Sequence, residues 1–319
     1  MKLLITGGFG FLGGRLAQFL AAEAKHEILL GSRQHNEPPV WLPQARAVQT
    51  RWDTPSSLEE ALSGADAVVH LAGMNAEDCA SDPLAALECN AVATCRVLQA
   101  ANRQRVKRFV HLSTAHVYGS PLAGLITEKT CPLSLHPYAT SHRAGEDLVR
   151  AAHQRKEIEG VVVRLSNAFG APAHKDANCW MLLVNDLCRQ SVTAQRLVLW
   201  SSGLQRRDFI TLTDACRAIA HLLQLPGEAL ADGLFNVGGG WSLSILEMTE
   251  RIAERVYSVT GNRPAIQRRE DGGAENQGML DYRSEKIAGT GFEIHGDRHV
   301  DQEIDRLIRF CLEHFAKRS

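Results

Sequence analysis

Residues 1–14 read MKLLITGGFGFLGG, and the reading of the fold turns on them. Residues 2–6, KLLIT, are an apolar run of strand length. Gly7, Gly10 and Gly13 follow at a G-x-x-G-x-x-G spacing, and FLGGRLAQFLAAEA from Phe11 onward has helical apolar spacing. A glycine turn between a strand and a helix lets the backbone lie against a pyrophosphate. The first helical residues, Phe11, Leu12 and Gly13, then offer free N–H groups at the positive end of the helix dipole. The alternative is a glycine turn without a ligand. The same stretch is not read as a signal peptide, because glycines interrupt its apolar region and no small-residue cleavage site follows cleanly.

Outward from this turn, strand and helix alternate. EILLGS, ARAVQ, ADAVVHLAG, VKRFVHLST and GVVVRLSNAFG read as further strands. Between them lie a short helix in WDTPSSLEEALSGA, capped by Thr54 or Ser56, and a long alanine-rich helix with Pro83 in its first turn. PYATSHRAGEDLVRAAHQR is another helix. The β-α-β rhythm predicts an α/β fold, a doubly wound parallel sheet of Rossmann type. Past residue 166 the rhythm loosens, with a further helix at about Leu243 to Val259. A dinucleotide-binding domain over 1–165, joined by about 205–237, and a smaller C-terminal substrate-binding lobe from 166–204 and 238–319 are expected.

The 319 residues carry 35 Lys+Arg against 36 Asp+Glu, which argues against nucleic acid or an anionic membrane as the main partner. The cysteines at 79, 89, 95, 131, 179, 188, 216 and 311 form no C-x-x-C pair, so no metal site is expected. They read as small buried hydrophobes in a reduced cytoplasm. No apolar run reaches the length of a membrane span.

A dinucleotide fold with NAD places a carboxylate at the end of the second strand, for the adenosine ribose 2′-hydroxyl. Here Gly31, Ser32 and Arg33 stand there instead. A hydroxyl and a guanidinium suit a 2′-phosphate, so NADP is favoured, with NAD possible. The other reading of Arg33 is a solvated surface charge. Asp53 is placed to reach the adenine amino group, or to cap a helix.

Ten stretches in order now resemble one family: TGGFGFLG, WD at 52–53, DAVVHLAG, NAVAT, STAHVYG, YATSH, RLSNAFGAP, QRRDFITLTD, FNVGGG and DYRSEKIAGTGF. The chain resembles the extended short-chain dehydrogenases/reductases that act on nucleotide sugars. The resemblance implies that Gly7, Gly10 and Gly13 bind the cofactor diphosphate, with Asp53 on the adenine. Leu71, Ala72 and Gly73 then line the strand end on the nicotinamide side. Thr114 would hydrogen-bond the reacting sugar oxygen, Tyr138 would be the acid/base, and Asn167 and Arg207 would hold the substrate diphosphate. A guanidinium fork and amide donors also suit a diphosphate on chemical grounds.

Where the family has a lysine four residues after the tyrosine, this chain has His142. Residues i and i+4 share a helix face, so His142 stands beside Tyr138. A phenol with a pKa of about 10 is a poor base until a nearby cation lowers it. An imidazole of ordinary pKa, about 6.5, is charged in roughly a quarter of molecules at pH 7. Three readings stand. His142 replaces the lysine, touching the cofactor ribose and assisting Tyr138 when protonated. The site is impaired, and the protein is an NADP-binding sensor or scaffold. Or His142 is a surface histidine with water in the lysine's place. Arg143 lies about 100° round the helix and faces solvent.

The resemblance further implies that dehydratases carry an acidic pair directly after the threonine, where this chain has Ala115 and His116. Dehydration is therefore not expected. His116 is either a further acid/base near the sugar or a packed strand-end histidine. Reduction of a keto-sugar nucleotide is placed ahead of C4 epimerisation with tightly held NAD. The alanine-rich helices at about 82–102 and 136–155 would, as in the family, pair across a homodimer.

Overall fold

The computed structural model describes residues 1–23, 25–34, 37–269 and 278–316. Ala24, at the end of the expected first helix, and 270–277 and 317–319 of the expected lobe lie outside the described residues.

Seven strands form one sheet, ordered in space Leu234–Val237, Glu159–Leu165, Arg108–Thr114, Ala67–His70, Lys2–Thr6, Glu27–Ser32, Arg46–Gln49. Every pairing is parallel. Strands that follow Lys2–Thr6 are laid first to one side of it and then, from Ala67–His70, to the other. That reversal opens a crevice at the carboxyl ends of the strands, where such sheets take their ligands.

Alternation along the strands explains the layering. Leu3 and Ile5 pack on one face with helices Phe11–Ala22 and Leu212–Gln224, and Leu4 packs on the other with Pro55–Leu62 and Ala93–Arg103. Each such fully buried aliphatic side chain stabilises the fold by about 1.5–3 kcal/mol.

Two expected elements differ in detail. The alanine-rich helix starts at Pro83, with Asp82 accepting from the Ala85 N–H at 2.9 Å, but widens to a π-turn over Glu88–Val92 before continuing as Ala93–Arg103. GVVVRLSNAFG is not one strand. It divides at Ser166 into Glu159–Leu165 of the large sheet and Asn167–Phe169 of a three-stranded sheet with Arg206–Thr211 and Ser242–Ser244. This small sheet adjoins a second core, built with helices Leu183–Thr193, Ile245–Thr260 and Asp297–Phe315. Arg15 of the first helix joins the two regions, donating to Glu303 Oε1 at 3.0 Å and to the Ala171 carbonyl at 2.6 Å. Among the described residues no helix is long and apolar enough to cross a membrane.

Candidate active site

A cleft of about 1090 Å³ runs from the glycine turn to Tyr138 and His142. At its first end the backbone geometry admits only glycine. A Cβ on Gly13 would lie 2.1 Å from the Gly7 carbonyl oxygen, and Gly7, at φ +68°, sits where its own Cβ would meet the Ala72 backbone nitrogen at 2.9 Å. Gly10 caps the helix without a side-chain bond, and the first-turn residues Phe11, Leu12 and Gly13 line the cleft. Helix N–H groups at a bare backbone fit a dinucleotide's diphosphate.

Arg33 also lines the cleft, its guanidinium 5.4 Å from the centroid of the Trp52 ring. Ser32 faces an adjoining recess of about 190 Å³, shared with Ala72, and its Oγ accepts from the Gln34 N–H at 3.2 Å. Asp53 lines the cleft beside them. The Thr54 hydroxyl, which donates to its carboxylate at 3.1 Å, holds its pKa below the ordinary range.

At the other end, Leu71 and Gly73 lead into the reactive region. Their loop is fixed by a residue that sequence reasoning did not single out. Buried Asn90, inside the π-turn, accepts from the Met74 N–H at 2.8 Å through Oδ1 and donates to Ser141 Oγ at 3.0 Å. Ser141 in turn donates to the Tyr138 carbonyl at 3.1 Å. One amide thus couples the loop after the fourth strand to the helix Pro137–Gln154. Its signal was its place in NAVAT, but only the widened turn shows why an amide is needed there.

Tyr138 and His142 lie on one face of that helix, rings edge to face at 4.6 Å. His136 caps the helix, its Nδ1 accepting from the Tyr138 N–H at 3.2 Å. Tyr138 is half-buried in the cleft wall, and burial pushes its pKa above the ordinary value, while a hydrogen bond with the Thr114 hydroxyl pulls it partly back. Thr114, Tyr138 and His142 are therefore brought together.

His142 corrects two expectations. It is 7 % exposed, so it is not a surface histidine. Burial pushes its pKa down to about 4, with the Leu112 carbonyl opposing that shift, so at neutral pH it is a neutral ring, not a partly charged one. Among the described residues no lysine acts on Tyr138, and the raised pKa keeps the phenol protonated at neutral pH. Arg143 is also not free in solvent. It is half-buried and paired with Asp147 at 3.0 Å and Glu146 at 3.6 Å.

His116, Asn167 and Arg207 do not line this cleft. Asn167 donates to the Asp208 carbonyl at 2.9 Å from the small sheet. Arg207 makes no ion pair among the described residues; its side chain reaches only Gln205 Oε1, at 3.4 Å, and burial lowers its pKa. His116 lies two residues after Thr114, its N–H bonded to Thr114 Oγ1 at 3.1 Å and its enclosed Nδ1 without a close partner. Burial and then the Arg207 charge lower the pKa of His116, so the two lie within electrostatic reach.

Beneath Thr114, Ser113 Oγ donates to Glu146 Oε1 at 2.5 Å, and Arg164 Nη2 meets Glu146 Oε2 at 2.5 Å. This enclosed triad locks two strands to the Tyr138 helix, and it too was not anticipated. Among the described residues, no group of three or more His, Cys, Asp or Glu side chains is placed to hold a metal ion.

Residues 3–238 match the NAD-dependent epimerase/dehydratase family. The chain belongs to that family. A dTDP-glucose 4,6-dehydratase of Actinoplanes sp. is 30% identical over 306 residues, 91% of each chain. Among solved structures, an NAD-dependent NDP-hexosamine 5,6-dehydratase, TunA, superposes with a TM-score of 0.76 at 25% identity, covering 98% of each chain. UDP-glucuronic acid 4-epimerase from Bacillus cereus, in complex with UDP-glucuronic acid and NAD, has the same fold. Its TM-score is 0.80 at 20% identity, over 99% of this chain and 100% of that one. As a member of this family the chain is an enzyme of the extended short-chain dehydrogenase/reductase type.

Proposed function

We propose that the enzyme reduces a keto-sugar carried on a nucleoside diphosphate, with NADPH as the favoured hydride donor and Tyr138 as the proton donor. The observation that carries this reading is the neutral pair Tyr138–His142. A phenol that burial keeps protonated is an acid ready for use, whereas the oxidative direction needs it as a base. When bound, the nicotinamide dinucleotide supplies the hydride. The chain's own residues do the rest. Thr114 orients the reacting oxygen, Tyr138 hands it a proton, and the glycine turn holds the diphosphate of the cofactor.

Arg33, stacked near Trp52 at the cleft rim, supports NADP over NAD. Arg207 and Asn167, with His116, are proposed to receive the substrate diphosphate and sugar, on segments 166–204 and 238–319 acting as the substrate lobe. Ala115 and His116 leave no carboxylate pair after Thr114, which argues against dehydration despite the dehydratase relatives.

C4 epimerisation with retained NAD is the second reading, supported by the likeness to the 4-epimerase with bound NAD. An impaired NADP-binding sensor is the third. Purified enzyme with NADPH and a panel of nucleotide keto-sugars separates them. Reduction consumes NADPH, epimerisation gives product without net cofactor change, and a sensor binds without turnover.

We also propose a homodimer. Leu84 and Leu87 on the Pro83 helix, Leu135 just before the Tyr138 helix, and Leu148 on it are exposed apolar side chains. Light scattering that returns the monomer mass ends this proposal.

A further inference from the structure

We infer that His174 is a positioning residue of the cofactor site. From outside the cleft it holds the Phe9–Gly10 peptide so that the Phe9 carbonyl oxygen is turned away from the place of the dinucleotide's diphosphate. This deepens, and rests on, the cofactor-dependent reading of the glycine turn.

The contact is direct. His174 Nε2 lies 2.7 Å from the Phe9 carbonyl oxygen. A carbonyl can only accept, so the proton of that bond belongs to Nε2. The half-buried ring stacks on Trp41, with centroids 5.7 Å apart and planes within 9° of parallel. Trp41 in turn meets the Phe9 ring edge to face at 6.1 Å, and its carbonyl accepts from Gln18 Nε2 at 3.3 Å. The imidazole is thus aimed by a side chain that is itself tied to the turn and to the first helix.

The segment that carries His174 is pinned to the same helix at two further points. Arg15 Nη1 donates to the Ala171 carbonyl at 2.6 Å. Ala173 approaches Gly14 so closely that a Cβ there would lie 2.8 Å from the Ala173 Cβ. These two contacts set the path of the segment and do not need the imidazole proton. Asn178, four residues after His174, lines the cleft together with Gly7 and Gly10.

Peptide geometry says what the bond does. In a trans peptide the carbonyl and the following N–H point opposite ways, and the 9–10 peptide is trans. Its carbonyl accepts from His174, and its N–H, that of Gly10, donates to the Gly7 carbonyl at 2.8 Å. Turning this peptide over would break both bonds. Gly10, Phe11, Leu12 and Gly13 line the cleft, whereas His174 does not. The bond therefore draws the Phe9 oxygen to the outer side of the turn. Released, that oxygen could swing toward the cleft, where its partial negative charge opposes a diphosphate. Held, it leaves the first-turn N–H groups at the positive end of the helix to meet the anion.

The test is isothermal titration calorimetry with NADP⁺ and with NAD⁺ on wild type, His174→Phe and His174→Gln, together with melting temperatures of the unliganded proteins. Phenylalanine keeps a ring on Trp41 without a donor, and glutamine keeps an N–H donor without the ring. His174→Phe should weaken dinucleotide binding by about tenfold, and His174→Gln should stay within about threefold of wild type. His174→Leu takes the place of the phenylalanine variant should that one not fold. A donorless variant that binds as tightly as wild type overturns the inference. So does a glutamine variant as weak as the donorless one. A lowered melting temperature with unchanged dissociation constants, the mark of a merely structural histidine, also overturns it. If the wild type binds neither dinucleotide, the cofactor reading itself fails and takes this inference with it, and that outcome is distinct from the others.

Discussion

The rings of Tyr138 and His142 meet edge to face at 4.6 Å, and neither carries a charge at neutral pH. This contact, four residues apart on one helix face, makes the phenol an acid by default. Tyr138→Phe removes the phenolic proton donor beside the Thr114 hydroxyl. We expect keto-sugar reduction to fall by at least ~100-fold. NADP⁺ affinity and melting temperature should stay near wild type. Turnover and binding titrations measured together check this, and retained turnover would refute the role of Tyr138.

Replacing the neutral ring by a cation tests the same contact from the other side. An ammonium at 142 favours the phenolate and lowers the Tyr138 pKa. His142→Lys should keep reductive turnover and raise the oxidative rate. It should also move the rise of the oxidative pH–rate profile toward lower pH by roughly one unit or more. A variant that folds and binds NADP⁺ but has no turnover in either direction would mean that the imidazole has a role a lysine cannot fill.

The buried rings of His70, His111 and His142, stacked in file with centroids 5.7 and 6.2 Å apart, set an acid limit on the fold. Folding pushes His142 down to about 4 and His70 to about 3, and lowers His111 well below its ordinary value, burial being the main cause each time. The unfolded chain, with histidine pKa values of about 6.5, then binds more protons than the native one, so stability rises with pH. The contribution is complete above the unfolded value and is lost as pH falls from about 6.5 toward 4. Asp208, pushed up to about 6 by burial, acts in the opposite sense and offsets part of this. His111→Phe keeps a ring in the stack and removes one titrating group. Urea unfolding at pH 7.5 and pH 5 should show a smaller loss of stability on acidification in the variant than in the wild type. Equal losses would show that His111 does not contribute.

How much of this was legible in the sequence depends on how local the cause is. The glycine turn and its flanking strand and helix are set by neighbours within a dozen residues, and they were readable. So was the shared face of Tyr138 and His142, which only requires a spacing of four on a helix. The charge of His142 was not readable, because it is set by burial among segments far apart in the chain, the strand residue His111 packing against its ring. The break at Ser166 was hidden in a continuous apolar run, since strand propensity does not say which sheet a residue joins. Asn90 reaches its partners through a π-turn that no periodicity announces. The proximity of His116 and Arg207 is likewise a property of the folded chain.

Gly13 offers a steric test of the cofactor end. A methyl group there meets the Gly7 carbonyl oxygen at 2.1 Å, so the turn or the helix start must shift. Gly13→Ala should weaken NADP⁺ binding by tenfold or more, on the order of 1.4 kcal/mol. It should also lower the melting temperature. Fluorescence titration and thermal unfolding report the two effects separately. Unchanged affinity would remove the glycine turn from the binding site.

Arg33 tests the choice of cofactor. It occupies the strand end where a carboxylate would select the ribose 2′-hydroxyl, and its guanidinium stands by Trp52 at the cleft rim. A guanidinium gains from a 2′-phosphate through charge-assisted hydrogen bonds that a hydroxyl cannot match. Arg33→Ala should therefore weaken NADP⁺ by about tenfold and leave NAD⁺ within about twofold, since a hydrogen bond to a charged group contributes roughly 1.5–3 kcal/mol. Arg33→Asp should go further and invert the preference, because a carboxylate repels the phosphate and accepts from the hydroxyl. Dissociation constants for both dinucleotides against the three proteins decide the matter. If the wild type binds NAD⁺ more tightly than NADP⁺, Arg33 is a solvated rim charge, and the retained-NAD epimerase becomes the stronger reading of the site.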